Sequence, residues 1–302
     1  MLHPSSNYID AISALNKGKR RICSKIQNTW QVDEELKGEV SKYLSELQGQ
    51  CMHGAYDKVP LKFDNWNADD FQAAQLRVVP GAVVRYGAFM EPGVVLMNCF
   101  VNIGAYIGAQ TMIDSFATVG SCAQIGQRCH ISAGAVIGGV LEPVAARPVI
   151  IEDECFVGAG ASIVEGVLVR RGAVIAMGTR VGASTRVIDR QTGEVFYGEI
   201  PEGAVVVPGT YAWEGADDAC GKADDACGKA EDAEHGKVEG AEGAEVAYEN
   251  AKSAEVKAKG DAPRYKLAVQ CAIIVRYGAK SQRTEINLKL RDDENKSKIE
   301  DC

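Results

Sequence analysis

A six-residue spacing of large apolar residues constrains the fold of this chain more than any other feature of its sequence. Seventeen positions follow the spacing in two runs, and a small residue lies two positions before each of the first ten. The positions are Val83, Phe89, Val95, Val101, Ile107, Ile113, Val119, Ile125, Ile131 and Ile137, then Ile151, Val157, Ile163, Val169, Ile175, Val181 and Val187. Because ordinary strand alternation repeats every two residues, it does not produce this period. The spacing therefore predicts a solenoid of short repeated strands.

The repeat predicts a triangular β-coil in which each side is one short strand and each corner is a turn. One large apolar side chain per side fills the interior, so three sides make a coil of about eighteen residues. Successive coils stack ~4.8 Å apart, as neighbouring strands do in any sheet. The longer step between Ile137 and Ile151 predicts a loop extruded from the stack, which carries the sequence GGVLEPVAARP.

The segments before and after the repeat lack the six-residue spacing, and their composition predicts further domains. We expect a small, mainly helical N-terminal domain over residues 1–75, followed by the β-coil domain over residues 76–210. Residues 211–264 form an acidic, low-complexity insert in which ADDACGK occurs twice in succession. Because the insert has few large apolar residues, it is expected to be disordered. Residues 265–302 are expected to form a short β-rich C-terminal region with a polar tail.

Composition and charge narrow the possible classes of protein. The start MLHPSSNYID does not resemble a signal peptide, and no apolar run reaches the roughly 18 residues of a membrane helix. Ten scattered cysteines without CxxC spacing predict free thiols in a reducing cytoplasm. The net charge of -8 arises within residues 214–262, which hold 14 acidic and 6 basic residues. The remainder is neutral, so it is compatible with an anionic substrate, and we expect no nucleic-acid or membrane partner.

Several segments of the chain resemble the tetrahydrodipicolinate N-succinyltransferase family over roughly residues 55–210 and 265–290. The most specific is TMIDSFATVGSCAQIG, and GGVLEP, PVIIEDECFVGA and STRVIDRQTGEVFYGEIP also match. The resemblance implies a mainly β fold built on a left-handed parallel β-helix, although ordinary crossover chirality predicts the opposite hand. It also implies a cytoplasmic homotrimer that uses succinyl-CoA as co-substrate and no metal. The acceptor would be the amine of the ring-opened dicarboxylate in the diaminopimelate route to lysine.

Two residues match substrate-binding positions of that family. Arg77, in LRVVP, would bind a substrate carboxylate, because a guanidinium donates two parallel hydrogen bonds to that group. Asp114, in TMIDS, would hold the substrate ammonium and accept its proton as a catalytic residue. The alternatives are a solvated arginine at the first corner and a turn aspartate that bonds its own backbone.

A second catalytic carboxylate is less clearly present. Some members of the family have a carboxylate where this chain has Ser162, and Glu165 of the VEG motif is the candidate that replaces it. His130 is the single histidine within the repeat, and we expect it to face outward in a surface role. Ser184 and Arg186, in STR, are the expected coenzyme A contacts, because the C-terminal coils are rich in arginine.

Other functions are compatible with the same repeat. A related acyltransferase could use acetyl-CoA or another amine acceptor. A carbonic anhydrase of the γ type needs three histidines that converge on zinc, whereas the repeat holds only His130. A non-catalytic solenoid would need neither Arg77 nor Asp114.

Overall fold

The computed structural model describes residues 6–52, 54–213 and 267–278. The expected acidic insert beyond Trp213 and the expected polar tail lie outside these ranges. The chain divides into two compact units, one of residues 1–210 with 270–302 and the other of residues 211–269. Of the second unit, only the ends of two strands are described. Within the described ranges, no helix is both long and apolar enough to cross a membrane.

The N-terminal segment combines three helices with two antiparallel hairpins. The helices are α1 (Ser6–Asn16), α2 (Glu34–Glu46) and α3 (Ala68–Ala74), and the hairpins pair β1 (Cys23–Ile26) with β2 (Thr29–Val32) and β3 (Gln50–Met52) with β4 (Ala55–Asp57). Helix α2 begins after Asp33, whose carboxylate accepts a hydrogen bond from the Leu36 backbone N–H at 2.9 Å. Its buried face packs on α1, as its helical apolar spacing predicts. The sequence prediction did not include the two hairpins.

The repeat region forms a triangular prism whose three sides are parallel sheets. Its strands follow one another around the prism as β5 (Arg77–Val78), β6 (Val83–Val84), β7 (Phe89–Met90), β8 (Val95–Leu96), β9 (Phe100–Val101), β10 (Tyr106–Ile107), β11 (Met112–Ile113), β12 (Thr118–Val119), β13 (Gln124–Ile125), β14 (His130–Ile131), β15 (Val136–Ile137), β16 (Ile150–Ile151), β17 (Phe156–Val157), β18 (Ser162–Ile163), β19 (Leu168–Val169), β20 (Val174–Ile175) and β21 (Arg180–Val181). The later strands are β22 (Val187–Asp189), β23 (Val195–Phe196), β24 (Glu199–Ile200), β25 (Ala204–Trp213) and β26 (Leu267–Tyr277).

Each side collects every third strand of the prism. The first side has the order β23-β22-β26-β25-β20-β17-β14-β11-β8-β5. The second side has the order β21-β18-β15-β12-β9-β6, and the third has the order β24-β19-β16-β13-β10-β7. After β21 the coil is interrupted by the antiparallel hairpin β22–β23, and it resumes where Ile200 pairs with Val169.

The core lies along the axis of the prism, as the six-residue spacing predicts. Fourteen of the seventeen predicted positions, from Val101 to Val187, belong to one continuous cluster and are at most 1% exposed. Fully burying one such aliphatic side chain contributes roughly 1.5–3 kcal/mol relative to leaving it exposed. The stack of coils is therefore stabilised mainly by this single column of side chains.

The first three predicted positions are wrong by one residue. Val84, Met90 and Leu96 belong to the core cluster, whereas Val83 is 38% exposed. The cause is a turn that is one residue shorter than the others, because Val101 follows Leu96 by five positions instead of six. Val84 pairs with Val101, seventeen positions later, whereas Val101 pairs with Val119, eighteen positions later.

The predicted extruded loop is held in place by a buried lysine of the N-terminal segment. Lys37, on α2, is fully buried, and its Nζ donates hydrogen bonds to the carbonyls of Pro143 at 3.0 Å and Ala146 at 2.7 Å. Burial lowers the pKa of Lys37, because desolvation disfavours the charged form. On the third side, Cys23 of hairpin β1–β2 packs against Ile150 and Leu168. The N-terminal segment therefore covers the third side of the prism.

Candidate active site

Arg77 and Asp114 lie on the same side of the prism. Arg77 begins β5 at the edge of the first side, and Asp114 directly follows β11, which is separated from β5 by β8 alone. Arg77 pairs with Val95, and Val95 pairs with Met112. Asp114 therefore lies two strands away from Arg77 and two residues further along the strand direction. With ~4.8 Å between strands and ~3.3 Å per residue, their Cα atoms are on the order of 12 Å apart. The structure thus places the two expected substrate residues within reach of one small ligand.

The carboxylate of Asp114 has two different environments. Its Oδ1 accepts a hydrogen bond from the Ser115 backbone N–H at 2.7 Å. Its Oδ2 lies 3.9 Å from Nε2 of His130, and the side chain is 30% exposed. The first contact is the turn interaction that was the alternative explanation for this residue. It uses one oxygen, and the other oxygen lies beside an imidazole at a solvent-accessible position.

His130 faces outward from the prism, but the expectation of a surface role is wrong. It lies on β14 next to Met112 of β11, and it is only 9% exposed. Its ring stacks on that of Phe156, with centroids 5.2 Å apart and planes inclined by 11°. Large side chains on the neighbouring strands therefore bury the imidazole beside Asp114. The alignment of positions 112, 130 and 156 in one outward column is the signal that could have revealed this.

Glu165 lies at a different corner from Asp114. It follows β18, at the corner between the second and third sides, whereas Asp114 lies two coils earlier between the first and second sides. Its backbone is left-handed, with a φ of 56°, and its Oε2 accepts a hydrogen bond from the Ala183 backbone N–H at 2.9 Å. Ser162 lies on β18 between Val136 and Arg180. Within one chain, neither residue is brought to Asp114, and a catalytic role for Glu165 stays a prediction.

The two expected coenzyme A contacts, Ser184 and Arg186, lie in the turn after β21. Glu165 accepts its hydrogen bond from Ala183 in the same turn. Ser184 is exposed and Arg186 is half-buried in the segment after β21, and the Arg186 carbonyl accepts a hydrogen bond from Ala272 N–H at 2.9 Å. The structure therefore groups Glu165 with Ser184 near the C-terminal coils. Their contact with a ligand remains a prediction.

No metal centre is formed by the part of the chain that the structure describes, because no three His, Cys, Asp or Glu side chains converge there. The seven described cysteines are free thiols. Burial raises the pKa of Cys122 to about 12, so this thiol stays protonated at neutral pH.

The prism and its outward polar residues define a hexapeptide-repeat transferase, which is an acyltransferase built on a left-handed parallel β-helix. Residues 104–139 match the bacterial transferase hexapeptide family of six repeats. Residues 148–183 match the hexapeptide repeat of succinyl-transferase. The predicted fold class is confirmed.

Relatives of known name identify the particular family. The 2,3,4,5-tetrahydropyridine-2,6-dicarboxylate N-succinyltransferase of Methylorubrum extorquens (strain PA1) is 51% identical over 207 residues, which are 67% of this chain and 74% of that protein. The enzyme of the same name from Bradyrhizobium diazoefficiens is 53% identical over 205 residues, 66% of this chain and 73% of that protein. A solved N-succinyltransferase structure from Campylobacter jejuni has a TM-score of 0.48 and 19% identity, over 68% of this chain and 60% of that chain. The chain belongs to the 2,3,4,5-tetrahydropyridine-2,6-dicarboxylate N-succinyltransferase family, and the resemblance found in the sequence is confirmed.

Proposed function

We propose that this enzyme transfers the succinyl group of succinyl-CoA to the amino group of ring-opened tetrahydrodipicolinate in the cytoplasm, in the diaminopimelate route to lysine. The observation that carries the proposal is the 51% identity to a relative of that name over 74% of its length. The shared placement of Arg77 and Asp114 on the first side supports it. A dicarboxylate with an amino group needs one cationic and one anionic partner, and these two residues supply them.

In the proposed mechanism, Asp114 binds the substrate ammonium and accepts a proton from it, which leaves a neutral amine. The amine nitrogen attacks the thioester carbonyl, the new C–N bond forms and the C–S bond breaks. The remaining proton lost by nitrogen is transferred to the departing coenzyme A sulfur. His130 borders this position, with its Nε2 3.9 Å from Oδ2 of Asp114. Arg77 binds a carboxylate of the acceptor and so orients its amine.

The active enzyme is proposed to be a homotrimer, with the acceptor site completed by a neighbouring copy. Phe116 and Met177 are 74% and 73% exposed at the corner between the first and second sides, which is also the corner of Asp114. Large apolar side chains exposed beside a polar site are typical of an interaction surface. Ser184 and Arg186 are proposed to contact coenzyme A, and Glu165 would act beside them.

A panel of coenzyme A thioesters assayed against the cyclic dicarboxylate tests the reaction, with release of free thiol as the readout. Succinyl-CoA should give dicarboxylate-dependent thiol release that greatly exceeds the release from acetyl-CoA. Turnover with acetyl-CoA and none with succinyl-CoA would replace the proposed donor. Sedimentation of the same preparation measures the oligomeric state, and an active monomer would contradict the shared site.

A further inference from the structure

A polar cleft lies at the corner of the prism between its third and first sides, away from the corner of Asp114. Its volume is about 540 Å³. Hairpin β1–β2 contributes Lys25 and Trp30, and Arg21 lies two residues before the hairpin. The prism contributes Glu152 and Arg171 among others. The proposed acyl transfer uses none of these residues.

Arg21 is held rigidly at this cleft. Its guanidinium carbon lies 3.7 Å from the centroid of the Tyr106 ring, and its Nε donates a 2.6 Å hydrogen bond to Oε1 of Gln124. Gln124 is fully buried, and its amide nitrogen is bonded to backbone carbonyls, the nearest being Cys122 O at 2.9 Å. Because the partner amide cannot turn, the direction of the Arg21 fork is set before any ligand arrives.

No carboxylate of the described residues forms an ion pair with Arg21, although the charges of Glu91 and Asp153 favour its protonated form. None of the ion pairs among the described residues includes Arg21. Glu91 lines the same cleft, and both of its carboxylate oxygens already accept hydrogen bonds. Glu91 Oε1 accepts from the Tyr106 hydroxyl, and its Oε2 accepts from the Ala109 backbone N–H at 2.8 Å. Burial lowers the pKa of Arg21, and the surrounding acidic groups do not offset that effect. A desolvated cation without a counter-ion is costly, so the cleft favours an anion.

Of the other acids of the cleft, Glu202 is exposed to solvent, and Glu152 and Asp153 are satisfied by donors of the chain itself. Glu152 Oε1 accepts from Lys25 Nζ and Trp30 Nε1, both at 2.8 Å, and its Oε2 accepts from the Arg171 backbone N–H at 3.0 Å. Both oxygens of Asp153 accept from Gln127. Arg21 has a single recorded hydrogen bond, through Nε, which leaves the four N–H groups of its terminal nitrogens for a ligand.

We propose that this cleft is a binding site for a small oxyanion, a carboxylate or a phosphate, held by the terminal nitrogens of Arg21. A guanidinium fork forms two parallel hydrogen bonds with either group, so the shared chemistry is that of a bidentate oxyanion. Because the cleft forms only in the folded protein, its ligand stabilises the fold. The site is independent of the proposed transfer reaction and can be tested without it.

The test titrates the full-length protein with inorganic phosphate, acetate and malonate, and follows Trp30 fluorescence and the melting temperature. Trp30 lines the cleft, and the difference from a Trp30→Phe variant isolates its signal. The matched variants are Arg21→Met and Arg20→Met. Arg20 is the neighbouring residue, 39% exposed and paired with Asp33 at 2.7 Å, so both changes remove one positive charge.

The wild type and Arg20→Met should show a saturable fluorescence change and a rise in melting temperature, with Arg21→Met binding at least about tenfold more weakly. Arg21→Lys keeps the charge without the fork, and it should bind with intermediate affinity while folding normally. The phosphate and carboxylate arms show which oxyanion the cleft prefers. Equal responses of Arg21→Met and the wild type, or no saturable response of the wild type to any probe, would overturn the proposal.

Discussion

Replacing Glu152 by alanine should loosen hairpin β1–β2 from the prism by a measurable amount. The carboxylate is 8% exposed and accepts hydrogen bonds from Lys25, Trp30 and the Arg171 backbone. A hydrogen bond to a charged group contributes roughly 1.5–3 kcal/mol, whereas a partly exposed ion pair contributes about 0–1 kcal/mol. Because Lys25 is 36% exposed, it can return to water, but the Trp30 indole N–H and the Arg171 N–H lose most of their partner. We therefore expect a loss of about 3 kcal/mol.

Urea unfolding followed by Trp30 fluorescence at one fixed protein concentration measures this loss. Glu199→Ala is the matched control, because Glu199 also lies on the third side and pairs with an arginine. Its side chain is 37% exposed and its contact with Arg170 is 2.7 Å. The control should lose no more than about 1 kcal/mol. If the two variants lose the same free energy of unfolding, the buried Glu152 carboxylate is not what holds the hairpin on the prism.

Three further outcomes are expected. Burial raises the pKa of Glu152, but hydrogen bonds from Lys25, Trp30 and Arg171 outweigh it and hold the pKa below its ordinary value. Because the pKa is lower in the folded protein than in the unfolded chain, the Glu152 carboxylate contributes its full stabilisation above about pH 4.3. This stabilisation is lost as the pH falls through the folded-state pKa. Trp30 fluorescence should report release of the hairpin in that acidic range, and Glu152→Gln should abolish the transition. Asp114→Asn should lower kcat by ~10²–10⁴-fold in the thiol-release assay. Its melting temperature should be unchanged, because the asparagine oxygen can still accept the hydrogen bond from the Ser115 N–H. An active variant would remove Asp114 from the mechanism. Ile131→Ala should cost about 2–5 kcal/mol in urea unfolding, and the outward Val136→Ala, at 37% exposure, less than about 1 kcal/mol; similar losses would contradict the axial core.

The candidate site was only partly predictable from the sequence. The family motif around Asp114 and the arginine at the start of the coil were found because both are local patterns. The burial of His130 depends on Phe156, which lies 26 positions further along the chain and follows the extruded loop. The separation of Glu165 from Asp114 depends on which corner each turn occupies after that loop. The six-residue spacing shows which of two adjacent residues of a repeat faces the core. It does not show which side chains of other coils lie beside them.

The sequence by itself determined the triangular β-coil, because one aliphatic per six residues can be buried only when three short sides close around a common axis. It could not determine the register of the first coil, since Val83 and Val84 are equally apolar and a turn shorter by one residue decides between them. Only the tertiary structure placed Arg21 against Gln124, 103 positions away, and Lys37 beneath the extruded loop. Such contacts between distant segments follow from how the N-terminal segment packs on the third side, and a local pattern carries no record of that packing.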